Sequence, residues 1–189
     1  MQPRPARGGL ATGAVLVAAT VGVLLYVLLA RGGPGAASGE AVKRARSAAT
    51  AAGCTLASFQ SEGRDHTESH VTYRTNPPTS GPHNPAPAPD RAYTVAPPAE
   101  NYVHSLEHGR IELQYRPGAP TAVRAALRGV YEQDRRHVLL FPNNTGMKSL
   151  VAATAWKHRL ACPAFTARVP AALREFRDAY RDHGPEEVP

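Results

Sequence analysis

The stretch Arg110–Phe141, RIELQYRPGAPTAVRAALRGVYEQDRRHVLLF, decides the fold class. Arg110 to Tyr115 alternates polar and apolar side chains, the period of a strand with one covered face. Arg116-Pro117-Gly118 ends it in a turn, and Thr121 is placed to cap a helix over Ala122–Arg135. Val123, Ala126, Leu127, Val130 and Tyr131 fall on one side of that helix. His137–Phe141 is a short strand of the buried type, stopped by Pro142 and the turn Asn143-Asn144-Thr145-Gly146. Downstream, Leu150–Leu160 (LVAATAWKHRL) is expected to be one more strand, although its alanines permit helix. Val169–Arg181 reads as a last helix, with Val169, Leu173, Phe176 and Tyr180 on one face. The order predicts an α+β domain with a short mixed sheet, two or three helices and a long Pro-rich loop.

That loop lies upstream. Asn76–Pro98, NPPTSGPHNPAPAPDRAYTVAPP, is too rich in proline for a regular helix or a central strand. Asn76 to His83 sets Asn, Thr, Ser and Gly between prolines, the composition of a rigid and specifically shaped loop. His70–Tyr73 favours extended structure, and Gly39–Ala52 is an Ala-rich helix or tether.

At the N-terminus, Leu10–Ala30 is 21 residues without a charge. A helix of that length covers about 30 Å, the thickness of a bilayer's hydrocarbon core. The run exceeds a secretory signal's apolar core, so it is read as an uncleaved anchor. The expected organisation is a cytoplasmic N-terminus over 1–9, a transmembrane helix over 10–30, a linker and juxtamembrane helix over 31–53, an extracytoplasmic domain over 54–186 and a tail over 187–189. Cys54 and Cys162 are the only cysteines, far apart and outside any CxxC, and are expected to form one disulfide in an oxidising compartment. The predicted location is therefore the cell membrane, single-pass, with the C-terminal domain outside the cytoplasm. Lys+Arg 22 against Asp+Glu 15 gives +7, but 19 of the 22 are scattered arginines without a basic run, which argues against nucleic-acid binding. No GxGxxG or Walker pattern appears, so nucleotide binding is not expected either.

Five of the eight histidines gather between His66 and His108. His66/His70 and His104/His108 are each spaced i, i+4, which puts two imidazoles on one face if the segment is helical. On a strand the same spacing separates them by about 13 Å. The competing assignment is hydrogen bonding to carbonyls of the Pro-rich loop. Glu107, between His104 and His108, is a possible acid–base beside a metal-bound water, but HSLEH is not HExxH and gives no zincin site. Met147 is the one methionine besides Met1; a thioether near imidazoles would favour copper over zinc.

Gly63–His66 (GRDH), Tyr73, Pro77–His83 (PPTSGPH), His104–Tyr115 (HSLEHGRIELQY), Thr154–Trp156 (TAW) and Gly184–Glu186 (GPE) together closely resemble the bacterial family called domain of unknown function 3105. The resemblance runs from about Cys54 to Glu186. It implies a single-anchor protein with an extracytoplasmic domain, and it implies no particular activity. It also selects among the histidines: His66, His83, His104 and His108 fall inside the family-like motifs, and His70 does not.

The leading expectation is thus an extracytoplasmic metal-binding module, copper first and zinc second, with His66, His83, His104 and His108 as ligands and Met147 as adjunct. One alternative is a metal-dependent envelope enzyme using Glu107. The other is an interaction module whose PPTSGPH loop docks a membrane-protein partner, the histidines being structural.

Overall fold

Both faces of the strand Ile111–Tyr115 are covered, and the architecture follows from what covers each one. The computed structural model describes Met1 and residues 37–186. Its elements in order are α1 (Gly39–Ala52), β1 (Thr55–Ser58), α2 (Ala99–Glu107), β2 (Ile111–Tyr115), α3 (Thr121–Gln133), β3 (Val138–Pro142), β4 (Val151–Ala155), β5 (His158–Cys162) and α4 (Val169–Tyr180). The five strands form one mixed sheet in the order β1-β5-β4-β2-β3. β2 and β3 run parallel, Ile111 opposite Val138, and α3 is the crossover that a parallel pair requires. The other neighbours are antiparallel.

Alternation along the strands sorts the side chains into two layers. Ile111, Leu113, Val138, Leu140, Val151, Ala153, Leu160 and Cys162 enter one apolar core with α1, α3 and α4. α1 contributes a stripe of alanines, Ala41, Ala45, Ala49 and Ala52, whose small side chains let it lie close to its neighbours. Ser38 caps its N-terminus and Gly53, in the left-handed region at φ 73°, ends it just before Cys54. Cys54 is bonded to Cys162 across 108 residues, tying the start of β1 to the end of β5. The opposite face carries Leu139, Phe141 and Trp156 against Tyr102, Val103 and Leu106 of α2. Glu112, Gln114 and Thr154 are fully buried on this same face.

Several expectations need correction. Leu150–Leu160 is a hairpin of two strands, not one, because the chain reverses at Trp156-Lys157 with Lys157 at φ 64° and no glycine to announce the turn. Four helices are present among the described residues, not two or three; α2 is the addition. His70–Tyr73 forms no strand, since its backbone is taken up by Glu100 and the neighbouring loop. The transmembrane helix and the membrane location are not supported: among the described residues no helix is long and apolar enough to cross a membrane. The segment 10–30, on which that expectation rested, lies outside the described residues.

Candidate metal centre

The proline loop earns its shape from side chains that replace a missing ladder. The Glu62 carboxylate accepts from the amides of Arg74 (2.8 Å) and Thr75 (3.3 Å), and the Glu62 amide donates to Ser80 Oγ (3.1 Å). The Thr79 carbonyl accepts from the Lys157 amide at the hairpin turn (2.8 Å), which lays the loop across the end of the sheet. Gly81 sits at φ 131° with Tyr73 against it; a Cβ there would lie 2.9 Å from the ring. Two backbone bonds, His83 N to Asp65 O (3.0 Å) and Thr67 N to His83 O (2.7 Å), then pair two extended segments and set His66 beside His83. The other half of the loop clamps α2: Asn84 N donates to Glu100 O, Ala88 N to Asn101 O, and Ser105 Oγ to Ala88 O. This places His104 and Glu107, one turn apart on α2, against the two loop histidines.

The result is a group of four donors, His66, His83, His104 and Glu107, whose ligand atoms all lie within 4.8 Å of one another. The rings of His66, His83 and His104 form a nearly equilateral triangle, with centroids 4.8, 4.9 and 5.1 Å apart. His83 is completely buried, its ring edge-on to Trp156 at 6.2 Å. Its Nδ1 is 2.7 Å from the Gly81 carbonyl, which can only accept, so Nδ1 is the donor and a neutral ring carries its lone pair on Nε2. His104 repeats the arrangement, with Nδ1 donating to the Asn84 carbonyl at 2.7 Å. His83 Nε2 faces Glu107 Oε2 at 2.9 Å, and His66 Nε2 lies 4.0 Å from the same oxygen. Lone pairs thus converge on one point, where a cation or a proton is needed to hold them together.

Burial pushes the His104 imidazole below its ordinary range, with His83 and His66 adding to the effect and the Asn84 carbonyl opposing it. His108 is shifted the same way, by burial and then by His104. Both effects favour the neutral ring, which is the ligating form.

The expected pairs fare differently. His104, in α2's last turn, and His108, at its C-cap, do meet, Nε2 to Nε2 at 2.9 Å. His66 and His70 do not: His70 turns outward onto the Glu100 carboxylate at 2.9 Å, and His66 joins His83 instead. Glu107 stands among the ligand atoms themselves. Met147 lies beyond β3, its amide on Asn143 Oδ1, at the Tyr115 end of the sheet, whereas His83 packs on Trp156 at the other end. Glu186 was missing from the sequence-based site. It reaches to 3.4 Å from His108 Nε2, making a second donor group with His104 and His108. Its only trace in the sequence is its place in the GPE motif.

Residues 65–189 match the family described as protein of unknown function (DUF3105). The chain belongs to this family. All six donors, His66 to Glu186, fall within the DUF3105 match. Comparison with curated proteins and with solved structures gives no match.

Proposed function

We propose that this DUF3105 domain binds a transition-metal ion through His66, His83, His104 and Glu107. The observation that carries the proposal is the way the two buried rings, His83 and His104, are held. Each donates Nδ1–H to a backbone carbonyl, the usual support of a metal-bound imidazole, which leaves Nε2 as the ligating atom: that of His83 faces the buried Glu107 carboxylate at 2.9 Å, and that of His104 lies 2.9 Å from His108 Nε2. A tetrahedral ion with bonds of about 2.0–2.1 Å needs donor atoms about 3.4 Å apart. His66 is 51% exposed and has room to close the remaining gap.

Zinc comes ahead of copper. Three imidazoles and one carboxylate suit zinc, and the thioether that would favour copper sits at the other end of the sheet. With Glu107 engaged as a ligand, the set supplies binding and not a free base.

Metal content tests the proposal. The full chain, purified without chelator or His-tag, is expected to hold about one equivalent of zinc or copper, or to take it up on addition. A His83→Ala/His104→Ala variant with an unchanged circular dichroism spectrum is expected to hold none. No uptake by the unsubstituted chain overturns the proposal.

A further inference from the structure

The last described residues form a strap across the C-terminal end of α2. The Asp182 amide donates to Gly109 O (2.9 Å), and its carboxylate accepts from Arg136 and from His137 Nδ1 (2.6 Å each). Gly184 then crosses so close to the helix end that a Cβ there would collide with Glu107 O and Gly109 N. Gly109 faces the strap at φ 75°, and a Cβ on it would lie 2.8 Å from the Asp182 Cα. Past this crossing the Glu186 amide donates to Glu107 O (3.2 Å) and the carboxylate arrives beside His108. Two facing glycines, a carboxylate latch and two backbone bonds all serve to bring one acidic side chain to the rim of the histidine cluster.

We infer that the strap creates a second, outer position for a divalent transition-metal ion, made by His104, His108 and Glu186, and that the ion passes between it and the buried position. The inference rests on the metal site proposed above and adds a direction of movement to it. The two donor sets share His104, and with Nδ1 committed to Asn84 that ring has one lone pair, on Nε2. One lone pair serves one ion, so the positions are alternatives and an ion moves from one to the other by keeping His104 and exchanging the rest. The chemistry is graded to match. The inner set contains the fully buried His83 and a Glu107 side chain 4% exposed, while the outer set ends in Glu186, 48% exposed. A site with two overlapping positions of unequal burial suits acquisition and hand-over of an ion better than permanent storage. His66, half exposed, offers a different approach to the inner position, so rates and not occupancy alone decide the matter.

The test uses the full chain loaded with Zn²⁺ and a chromophoric chelator in stopped flow, with unsubstituted protein, Glu186→Gln and Gly184→Ala compared. The Glu186 side chain is 48% exposed, and its backbone bond to Glu107 O does not depend on the side chain. Glu186→Gln is expected to slow Zn²⁺ transfer about tenfold, with one equivalent of Zn²⁺ still held by the inner set. Gly184→Ala, whose Cβ meets the Glu107 backbone, displaces the strap and is expected to slow transfer as well, with inner binding weakened through Glu107. In a His83→Ala background, weak residual Zn²⁺ binding is expected to remain and to vanish on adding Glu186→Gln. Unchanged transfer rates in Glu186→Gln, with binding intact, overturn the outer position and leave the inner site standing, the ion then passing by way of His66. A loss of affinity in Glu186→Gln as large as in His83→Ala also overturns it, since Glu186 would then be a resident ligand. Failure of the unsubstituted chain to bind removes both proposals at once.

Discussion

The two faces of the sheet are built by different means. One is covered by α1, α3 and α4, whose apolar residues recur at helical spacing and close over Ile111, Leu113, Val138 and Leu140. The other is covered by one short helix and a proline loop, and it buries Glu112, Gln114, Thr154, Thr79, Ser80, His83 and Glu107. Hydrophobic burial holds the first face, a force that is roughly proportional to area and indifferent to direction. The second adds directed bonds to its smaller apolar cluster of Leu139, Phe141, Trp156 and α2: Thr154 Oγ1 to Glu112 at 2.6 Å, Gln114 Nε2 to Glu112 at 3.0 Å, Asn143 Nδ2 to Gln114 at 2.8 Å. Buried polar groups must be paired where they stand, so a face made of them is fixed in geometry. Rigid placement is what a ligand set needs, and the proposed ligands His83, His104 and Glu107 are on that face.

The sharpest way to break this contrast is through the disulfide, which belongs to the apolar layer. Cys54–Cys162 closes 108 residues, and a loop of that length is worth about 4–5 kcal/mol in the chain-entropy description. Cys54→Ser/Cys162→Ser is expected to lower the unfolding free energy in urea by about that amount, read from the fluorescence of Trp156. If the faces are held separately, the folded variant keeps its metal stoichiometry at low temperature. Loss of metal from the folded variant would show that the ligand face leans on the staple.

The same contrast explains what was legible in the sequence. α3 and α4 are visible because apolar residues repeat with the helix period, as at Val169, Leu173, Phe176 and Tyr180, whereas the composition of α1 fits a helix or a tether alike. β2 was visible as an alternating strand, but alternation implies one wet face, and Glu112 and Gln114 are buried instead. Nothing in RIELQY reveals that a loop some thirty residues upstream lies over its polar side. α2 was hidden for a related reason: its residues from Tyr102 to Glu107 are buried all round, so it shows no clear polar stripe, and Pro98 caps it without a side-chain bond. The histidines were recognisable as candidates from their motifs. That His66 would join His83 and not His70 depends on a two-bond bridge between irregular segments, and no local pattern encodes such a bridge.

Glu112 offers a second probe of the directed-bond face, with a smaller effect. Its carboxyl is completely buried, Oε1 has no hydrogen-bond partner among the described residues, and burial pushes it well above the ordinary carboxylate range despite the bonds from Thr154 and Gln114. A carboxyl that stays protonated when folded but ionises when unfolded makes the fold less stable as pH rises above its unfolded value of about 4.3. Glu112→Gln keeps an acceptor for Thr154 and Gln114 and removes the ionisation. At pH 7 it is expected to raise stability by about 1–3 kcal/mol, and near pH 4 the advantage disappears. Urea unfolding of both proteins at the two pH values measures it. A difference between variant and parent that does not change between pH 7 and pH 4 would show that the Glu112 carboxyl does not titrate differently in the folded and unfolded chain.

His158 is the counterpart on the apolar face, and its sign is opposite. The ring stacks on Tyr180 at 4.3 Å with Nδ1 2.9 Å from Ser58 Oγ. Burial first, then Lys157 and Arg46, push its pKa down to about 4. A base whose folded value lies below its unfolded one contributes stability that is complete above about pH 6.5 and is lost as pH falls toward the folded value. The ring is partly exposed, so solvent screening reduces the contribution to about 1 kcal/mol. His158→Phe keeps the stack and removes the titration. Between pH 7 and pH 5 the parent is expected to lose about 1 kcal/mol more than this variant in urea unfolding. Equal losses would mean that His158 is solvated and that the apolar layer thins at β5. Because Glu112 and His158 bend the pH profile in opposite directions, each variant is compared with the parent at fixed pH, and the two differences separate the contributions of the two faces.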